Sequence, residues 1–409
     1  MKKLLLVITS LLFFYSSYAQ SVNYTFSEGE KLLNDKKYDQ AIEKFKFVVK
    51  KDPYFYEAYY NIGRAYLLKG DKDNAYTYFQ KAITANSNYS EAYDAHLKLA
   101  LDKNDIPAAL NDLKNLIRLH PKKAVYYEQR AEIYHLQNKP EKELQDLKTA
   151  MNLNSTNPNV YYRAAMIYKT KKEKDKYIKA LNKAIELDNS FVDALYERAD
   201  YYLDNKKYGM AQKDLERIIS VKPDYSNEVF IKLADTYAQA GKCDKAVVFY
   251  DKYIKKTHTR NPDVFIKKGK CLAKQDKLKE AISAYNKAIA YDAKNAEAYV
   301  ERALIYDKMG KDKMAERDFT KAISFDKKNP LPYFKRGVLN FNKQNYQKAM
   351  EDLNLAVKYA KKNVPAEYYF YRGACYFNLG NVNKACEDLT KAANMGYKRA
   401  SKQKQEICL

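Results

Sequence analysis

A small side chain recurs through this sequence at a nearly fixed interval, and the recurrence restricts the fold more than any other feature. Ala41, Ala75 and Ala109 lie 34 residues apart, and Ala211 stands three such periods further on. Ala246, Ala281, Ala315, Ala349 and Ala385 follow at intervals of 34 to 36. Only Glu143 and Tyr177 break the run. Twelve residues before each slot sits a second small residue, namely Gly29, Gly63, Ala131, Ala165, Ala199, Ala234, Gly269, Ala303, Gly337 and Gly373, with Leu97 the exception. A chain built this way is one packing unit copied about eleven times, from near Asn23 to near Met395, and not two or three unrelated domains.

Each copy holds two amphipathic runs joined by a short polar turn such as "KGDKD" or "MGKDK". The pattern predicts helix, turn, helix. Small residues are needed where two antiparallel helices cross at about 8–10 Å, because a large side chain there pushes the axes apart. Four residues after each alanine slot comes a large apolar group (Phe45, Phe79, Leu113, Phe319, Leu353), and three further on the residue is usually small again (Ala82, Ala150, Ala288). That spacing is the stripe of a helix buried on one side. Pro53, Pro121 and Pro223 follow second helices that they cannot continue.

This 34-residue unit resembles the tetratricopeptide repeat. Tyr59, Tyr93, Tyr127, Tyr161, Tyr299, Tyr333 and Tyr369 stand where that family often has tryptophan, so the absence of tryptophan does not count against the resemblance. The resemblance implies an all-α fold: a right-handed α-solenoid of about eleven units over 20–395, with repeats starting near 22, 56, 90, 124, 158, 192, 227, 262, 296, 330 and 366. The amphipathic run over 396–409 is expected to cap the last repeat, whose outer face has no neighbour.

Residues 1–19, "MKKLLLVITSLLFFYSSYA", read as a Sec-type signal peptide, with Lys2 and Lys3, an apolar run and small residues before Gln20. The expectation is an exported bacterial protein, periplasmic or secreted, with no transmembrane segment. The formal charge of +23 falls by two when Lys2 and Lys3 are removed. Such basicity invites a nucleic-acid reading, which export argues against. Five cysteines in an exported chain raise the question of disulfides. Cys243 and Cys271 fall on adjacent antiparallel helices. Cys386 has two rival partners, Cys408 in the cap and Cys375 across the hairpin, and free thiols are the other reading for each.

Chemistry is hard to find. His96, His120, His135 and His258 fall in separate repeats without a second ligand at helical spacing, and no phosphate loop, nucleophile elbow or metal motif occurs. The expectation is therefore a non-enzymatic protein with no cofactor and no metal. In the resembled family the first helices line a concave groove. Carried over, the partner-binding positions here are Glu57, Tyr60, Asp94, Glu128, Glu132, Tyr162, Tyr196, Asp200, Asp235 and Glu297, and near the C-terminus Phe334, Phe341, Phe370 and Phe377. The phenylalanines would form an apolar anchor unless neighbouring helices or the cap cover them. Acids outnumber bases at these positions although the whole chain is basic, so the groove suits a basic or extended polypeptide better than a polyanion. The function expected is an interaction scaffold of the cell envelope. The alternative is an adhesion protein whose lysine-rich outer face binds anionic lipid or lipopolysaccharide.

Overall fold

The computed structural model describes residues 20–408; the signal-peptide segment 1–19 and Leu409 lie outside the described residues. The described chain is all-α. By its contacts it forms two compact units, Met1–Ala194 and Leu195–Leu409.

In the first unit the helices pair in sequence order: 20–34 with Tyr38–Lys51, Tyr56–Leu68 with Lys72–Ala85, and Ser90–Asp102 with Ile106–Leu119. Ala124–Leu136 then pairs with Pro140–Asn152, and Pro158–Thr170 with Lys174–Leu187. These are repeats 1 to 5. Repeat 6 opens with Val192–Asp204 and continues in the second unit with Tyr208–Val221. Repeats 7 to 11 are Asn227–Gln239 with Cys243–Thr257, Pro262–Lys274 with Leu278–Tyr291, Ala296–Lys308 with Asp312–Phe325, Pro330–Asn342 with Tyr346–Ala360, and Ala366–Asn378 with Val382–Asn394. A final helix, Lys398–Ile407, packs against the second helix of repeat 11.

The small residues do what their spacing requires. Ala41, Ala75, Ala109, Ala211, Ala246, Ala281, Ala315, Ala349 and Ala385 are all fully buried. A Cβ on Gly63 would lie 2.7 Å from ring carbons of Phe79, so the bare backbone is what admits the aromatic ring. Tyr285 makes the same use of Gly269. Large side chains then interlock around these contacts: Phe45, Phe79, Tyr250, Tyr285 and Phe319 are fully buried. Each such group removed from water contributes roughly 1.5–3 kcal/mol.

Helix ends follow local chemistry. Asn157, Ser226, Asn261, Asn295 and Asn329 cap first helices by accepting a hydrogen bond from a backbone N–H of the first turn. Pro158, Pro262 and Pro330 occupy the first helical position, where the missing N–H has no intrahelical partner anyway. Every turn between first and second helix places one residue at positive φ. Glycine supplies it at Gly70, Gly241, Gly310 and Gly380, whereas Lys36, Asn104, Asn138, Lys172, Lys206, Asp276 and Gln344 adopt it against the preference of an L side chain.

In the second unit the first helices of repeats 8 and 9 pack directly on one another, as do those of repeats 10 and 11. No helix among the described residues is long and apolar enough to cross a membrane.

Candidate functional site

Two polar networks run through the first helices. The inner one joins the two helices of a single repeat. Arg130, Arg198, Arg302, Arg336 and Arg372 each occupy the seventh residue of a first helix, and each forks onto an aspartate sixteen residues later: Asp146, Asp214, Asp318, Asp352 and Asp388. Nε and Nη2 donate to the two carboxylate oxygens at 2.6–2.9 Å. The aspartates are buried, and planar two-point pairing is the arrangement that suits a charge removed from water. Repeat 3 fills the same place with His96 and Asp112, both 1% exposed and 2.6 Å apart. Burial pushes the Asp112 carboxyl up, against the opposing pull of His96. Repeat 1 inverts the polarity, with Lys44 donating to Glu28 at 2.8 Å.

The outer network joins consecutive repeats. Here the cation sits one residue earlier, at the sixth residue of the first helix, and donates to an acid on the first helix of the preceding repeat. Arg163 donates to Glu132, Lys232 to Asp200 at 2.6 and 2.7 Å, and Lys267 to Asp235 at 2.7 Å. In the opposite direction Lys270, the ninth residue of its helix, donates to Glu297 of the following repeat at 2.6 Å and lies 3.3 Å from Glu301. A repeat whose sixth residue makes the outer contact lacks the inner pair. Repeats 5, 7 and 8, which make the outer contact, carry Ala164 and Ala180, Leu233 and Phe249, or Lys268 and Ala284 where the inner pair would be.

The acids expected to meet a partner therefore divide by their neighbours. In the second unit Asp200, Asp235 and Glu297 are matched by lysines. In the first unit Asp94 accepts from the Tyr126 hydroxyl at 3.1 Å, and Glu128 accepts from Ser155 Oγ at 2.6 Å and Asn157 Nδ2 at 3.1 Å. These donors carry no formal charge. Glu57 and Tyr60 are half-buried, with Tyr60 edge-on to Tyr89 at 5.2 Å. Tyr162 packs on Phe191 at 5.0 Å, and Tyr196 donates to Glu228 at 3.1 Å.

The apolar anchor needs correction. Phe334 is 1% exposed, stacked on Tyr368 with ring centroids 4.1 Å apart, and Phe370 is 5% exposed beneath Tyr397 and the Arg399 guanidinium of the final helix. Direct packing of the first helices of repeats 10 and 11, and coverage by the last helix, take both rings out of reach. Phe341 is half-buried between Tyr346 and Tyr371, and Phe377 remains 41% exposed.

A disulfide joins Cys386 to Cys408, with Cα atoms 5.6 Å apart, and ties the final helix to repeat 11. Cys375 is a buried free thiol. Of the two readings left open for Cys243 and Cys271, a bridge or free thiols, the second holds. Both are buried free thiols in hydrogen-bonding contact, and burial followed by the Cys243 neighbour pushes the Cys271 thiol up to about 12, so the thiolate needed for exchange is scarce. Among the described residues no group of three or more His, Cys, Asp or Glu is arranged to hold a metal ion. His96 and His135 are instead paired with carboxylates.

The bridging cations Arg163, Lys232, Lys267 and Lys270 did not stand out in the sequence. Their signal is an opposite charge 27 to 32 residues away on the adjacent first helix.

Family profiles for the tetratricopeptide repeat match residues 26–90, 158–191, 192–225, 296–329, 332–363 and 367–394, and a TPR repeat profile matches 269–310. Together they cover more than half of the chain, and the protein belongs to the tetratricopeptide repeat family. Proteins of this kind are protein–protein interaction scaffolds. No curated protein sequence matches the chain. Similar solved structures include MamA (23% identity, 40% of this chain and 95% of that one, TM-score 0.38). Another is YrrB, described as a TPR protein with an unusual peptide-binding site (18%, 49% and 97%, TM-score 0.40). A third is pilF of Pseudomonas aeruginosa (17%, 53% and 98%, TM-score 0.45).

Proposed function

We propose that this protein is an exported scaffold of the bacterial envelope that holds a basic, extended polypeptide segment along its first-helix face. One observation carries the reading: in repeats 3 and 4 the acids Asp94 and Glu128 recur 34 residues apart on first helices, and the groups that bind them are neutral. Two carboxylates at repeat spacing, hydrogen-bonded by neutral donors, attract a chain of matching cationic side chains and set its register. The first nineteen residues supply the export signal in this reading.

Charge reversal at Asp94 and Glu128, both to lysine, tests it by recovery of partners from envelope extract. Loss of a specific polypeptide is the expected result. Recovery identical to that of the unaltered protein contradicts a role for this face. Removing residues 2–19 is expected to leave the protein in the cytoplasmic fraction.

A further inference from the structure

The final helix, Lys398–Ile407, is a poor helix by its own sequence. It has ten residues and no side-chain cap at its N-terminus, whereas an isolated helix in water is marginal below about 12–15 residues. Lys398 and Arg399 put two cations in the first turn, where the helix dipole favours acids, and Glu406 puts an acid in the last. Its packing is also thin. Only Ala400 is buried, with Tyr397 and Ile407 half-buried, whereas the second helix of repeat 11 buries Ala385, Asp388, Leu389 and Ala392. What fastens the far end of the final helix to repeat 11 is the bond between Cys386 and Cys408, which closes a loop with a sequence separation of 22.

The segment inside that loop covers an aromatic ring of the last first helix. Phe370 is withdrawn from solvent because Tyr397 lies 5.0 Å from its ring and the Arg399 guanidinium 4.9 Å. Phe334, the corresponding residue of repeat 10, is covered instead by Tyr368 and Tyr371 of a whole following repeat. The cover of Phe334 is part of the solenoid, and that of Phe370 hangs on one covalent bond. That bond is open to attack. Cys386 and Cys408 are both half-buried, whereas the three free cysteines are buried, and thiol exchange requires that an incoming thiolate reach a sulfur from solvent.

We propose that the final helix is a latched cover over Phe370, shut while Cys386 and Cys408 are bonded and opened by a dithiol reductant. A thiolate of the reductant attacks Cys408 Sγ, forms a mixed disulfide and expels Cys386 as its thiolate. The reductant's second thiol, as a thiolate, then attacks its own sulfur in the mixed disulfide and expels Cys408. The reductant leaves as a disulfide, its two electrons remain on Cys386 and Cys408, and its two thiol protons neutralise them. Freed at its far end, the short helix unwinds and carries Tyr397 and Arg399 off the ring. Tyr371 packs edge-on against both Phe370 and Phe341, so opening lengthens an apolar surface that reaches into repeat 10. The latch stands or falls independently of any partner held by the acids of repeats 3 and 4.

The test uses the full mature chain under native conditions, either oxidised or treated with dithiothreitol. Trypsin cleavage after Lys402 and hydroxyl-radical labelling of Phe370 are read by mass spectrometry, with labelling of Phe334 as the internal control. Reduction is expected to raise the first two by roughly fivefold or more and to leave Phe334 unchanged, with circular dichroism losing no more than the final helix. Cys386→Ser combined with Cys408→Ser should show the open values with or without dithiothreitol. A bond that dithiothreitol cannot reduce in the folded protein overturns the latch. So does reduced protein in which Phe370 and Lys402 stay protected, or an equal rise at Phe334, which would show general loosening in place of an opened cover.

Discussion

Repeat 9 and repeat 7 solve the same packing problem in opposite ways. In repeat 9 Arg302 and Asp318 pin the two helices together from inside, and Arg302 also lies near the rings of Tyr299 and Tyr306 at 5.4 and 6.0 Å. In repeat 7 the same place holds Leu233 and Phe249, and the cation has moved one residue earlier, to Lys232, where it meets Asp200 of the preceding repeat. One step along a helix turns a side chain through about 100°. That step converts a bond within a repeat into a bond between repeats. The buried pair stabilises the fold only while both partners are present, whereas the outer pair is part-exposed and can be exchanged for a partner's charge.

The largest effect should come from breaking an inner pair on one side only. Asp318→Ala strands the Arg302 guanidinium and is expected to cost about 3 kcal/mol, read as a lower urea midpoint. Replacing both, Arg302→Leu with Asp318→Leu, should recover most of that loss, because repeat 7 already works with an apolar pair. A double variant as unstable as the single one would show that the pair is worth more than its apolar substitute. Next in size is Gly269→Ala, whose added methyl would lie 2.5 Å from the Tyr285 ring, with an expected cost of roughly 1–3 kcal/mol.

Smaller still is the outer pair. Asp200→Asn should change stability by less than about 1 kcal/mol, and added salt should shrink even that. The two kinds of pair also separate by pH. Burial lowers the proton affinity of Lys232, but its hydrogen bonds to Asp200 and Tyr196 outweigh burial and leave the ammonium above its ordinary value. A raised lysine contributes stability that is fully present below the unfolded value of about 10.4 and is lost as pH rises through the folded value. The difference between unaltered protein and Lys232→Met should therefore fade in alkaline urea titrations. The difference for Asp318→Ala should persist, since guanidinium keeps its proton there. Thiol counting checks the cysteines: three thiols should react with an alkylating reagent after denaturation without reductant, and the buried ones should resist it in the native protein.

The fold was legible because it rests on sterics repeated many times. One glycine opposite one phenylalanine is ambiguous, but Gly29 with Phe45, Gly63 with Phe79 and Gly269 with Tyr285 state one rule. The acids of the first-helix face were legible too, since their register follows from the repeat. Their neighbours were not. That Asp235 accepts from Lys267 directly, and Asp94 from a tyrosine hydroxyl that itself accepts from Lys123, depends on which residue of the next helix lies alongside. Burial of Phe334 and Phe370 likewise comes from the next repeat and from the final helix, which no periodicity within one repeat encodes. The Arg302–Asp318 pattern was present five times in the sequence and went unread, because a separation of sixteen residues crosses a turn and fits no single-helix period.

The most direct test places a photoreactive phenylalanine analogue at Tyr60 or Tyr162 on first helices and, for contrast, at Tyr291, a second-helix residue 45% exposed. Cross-linking in living cells followed by mass spectrometry identifies what lies against each. Cross-links from Tyr60 and Tyr162 to one lysine- or arginine-rich segment of another polypeptide, and none to it from Tyr291, are the predicted result. Cross-links to that polypeptide from Tyr291 alone would contradict the account.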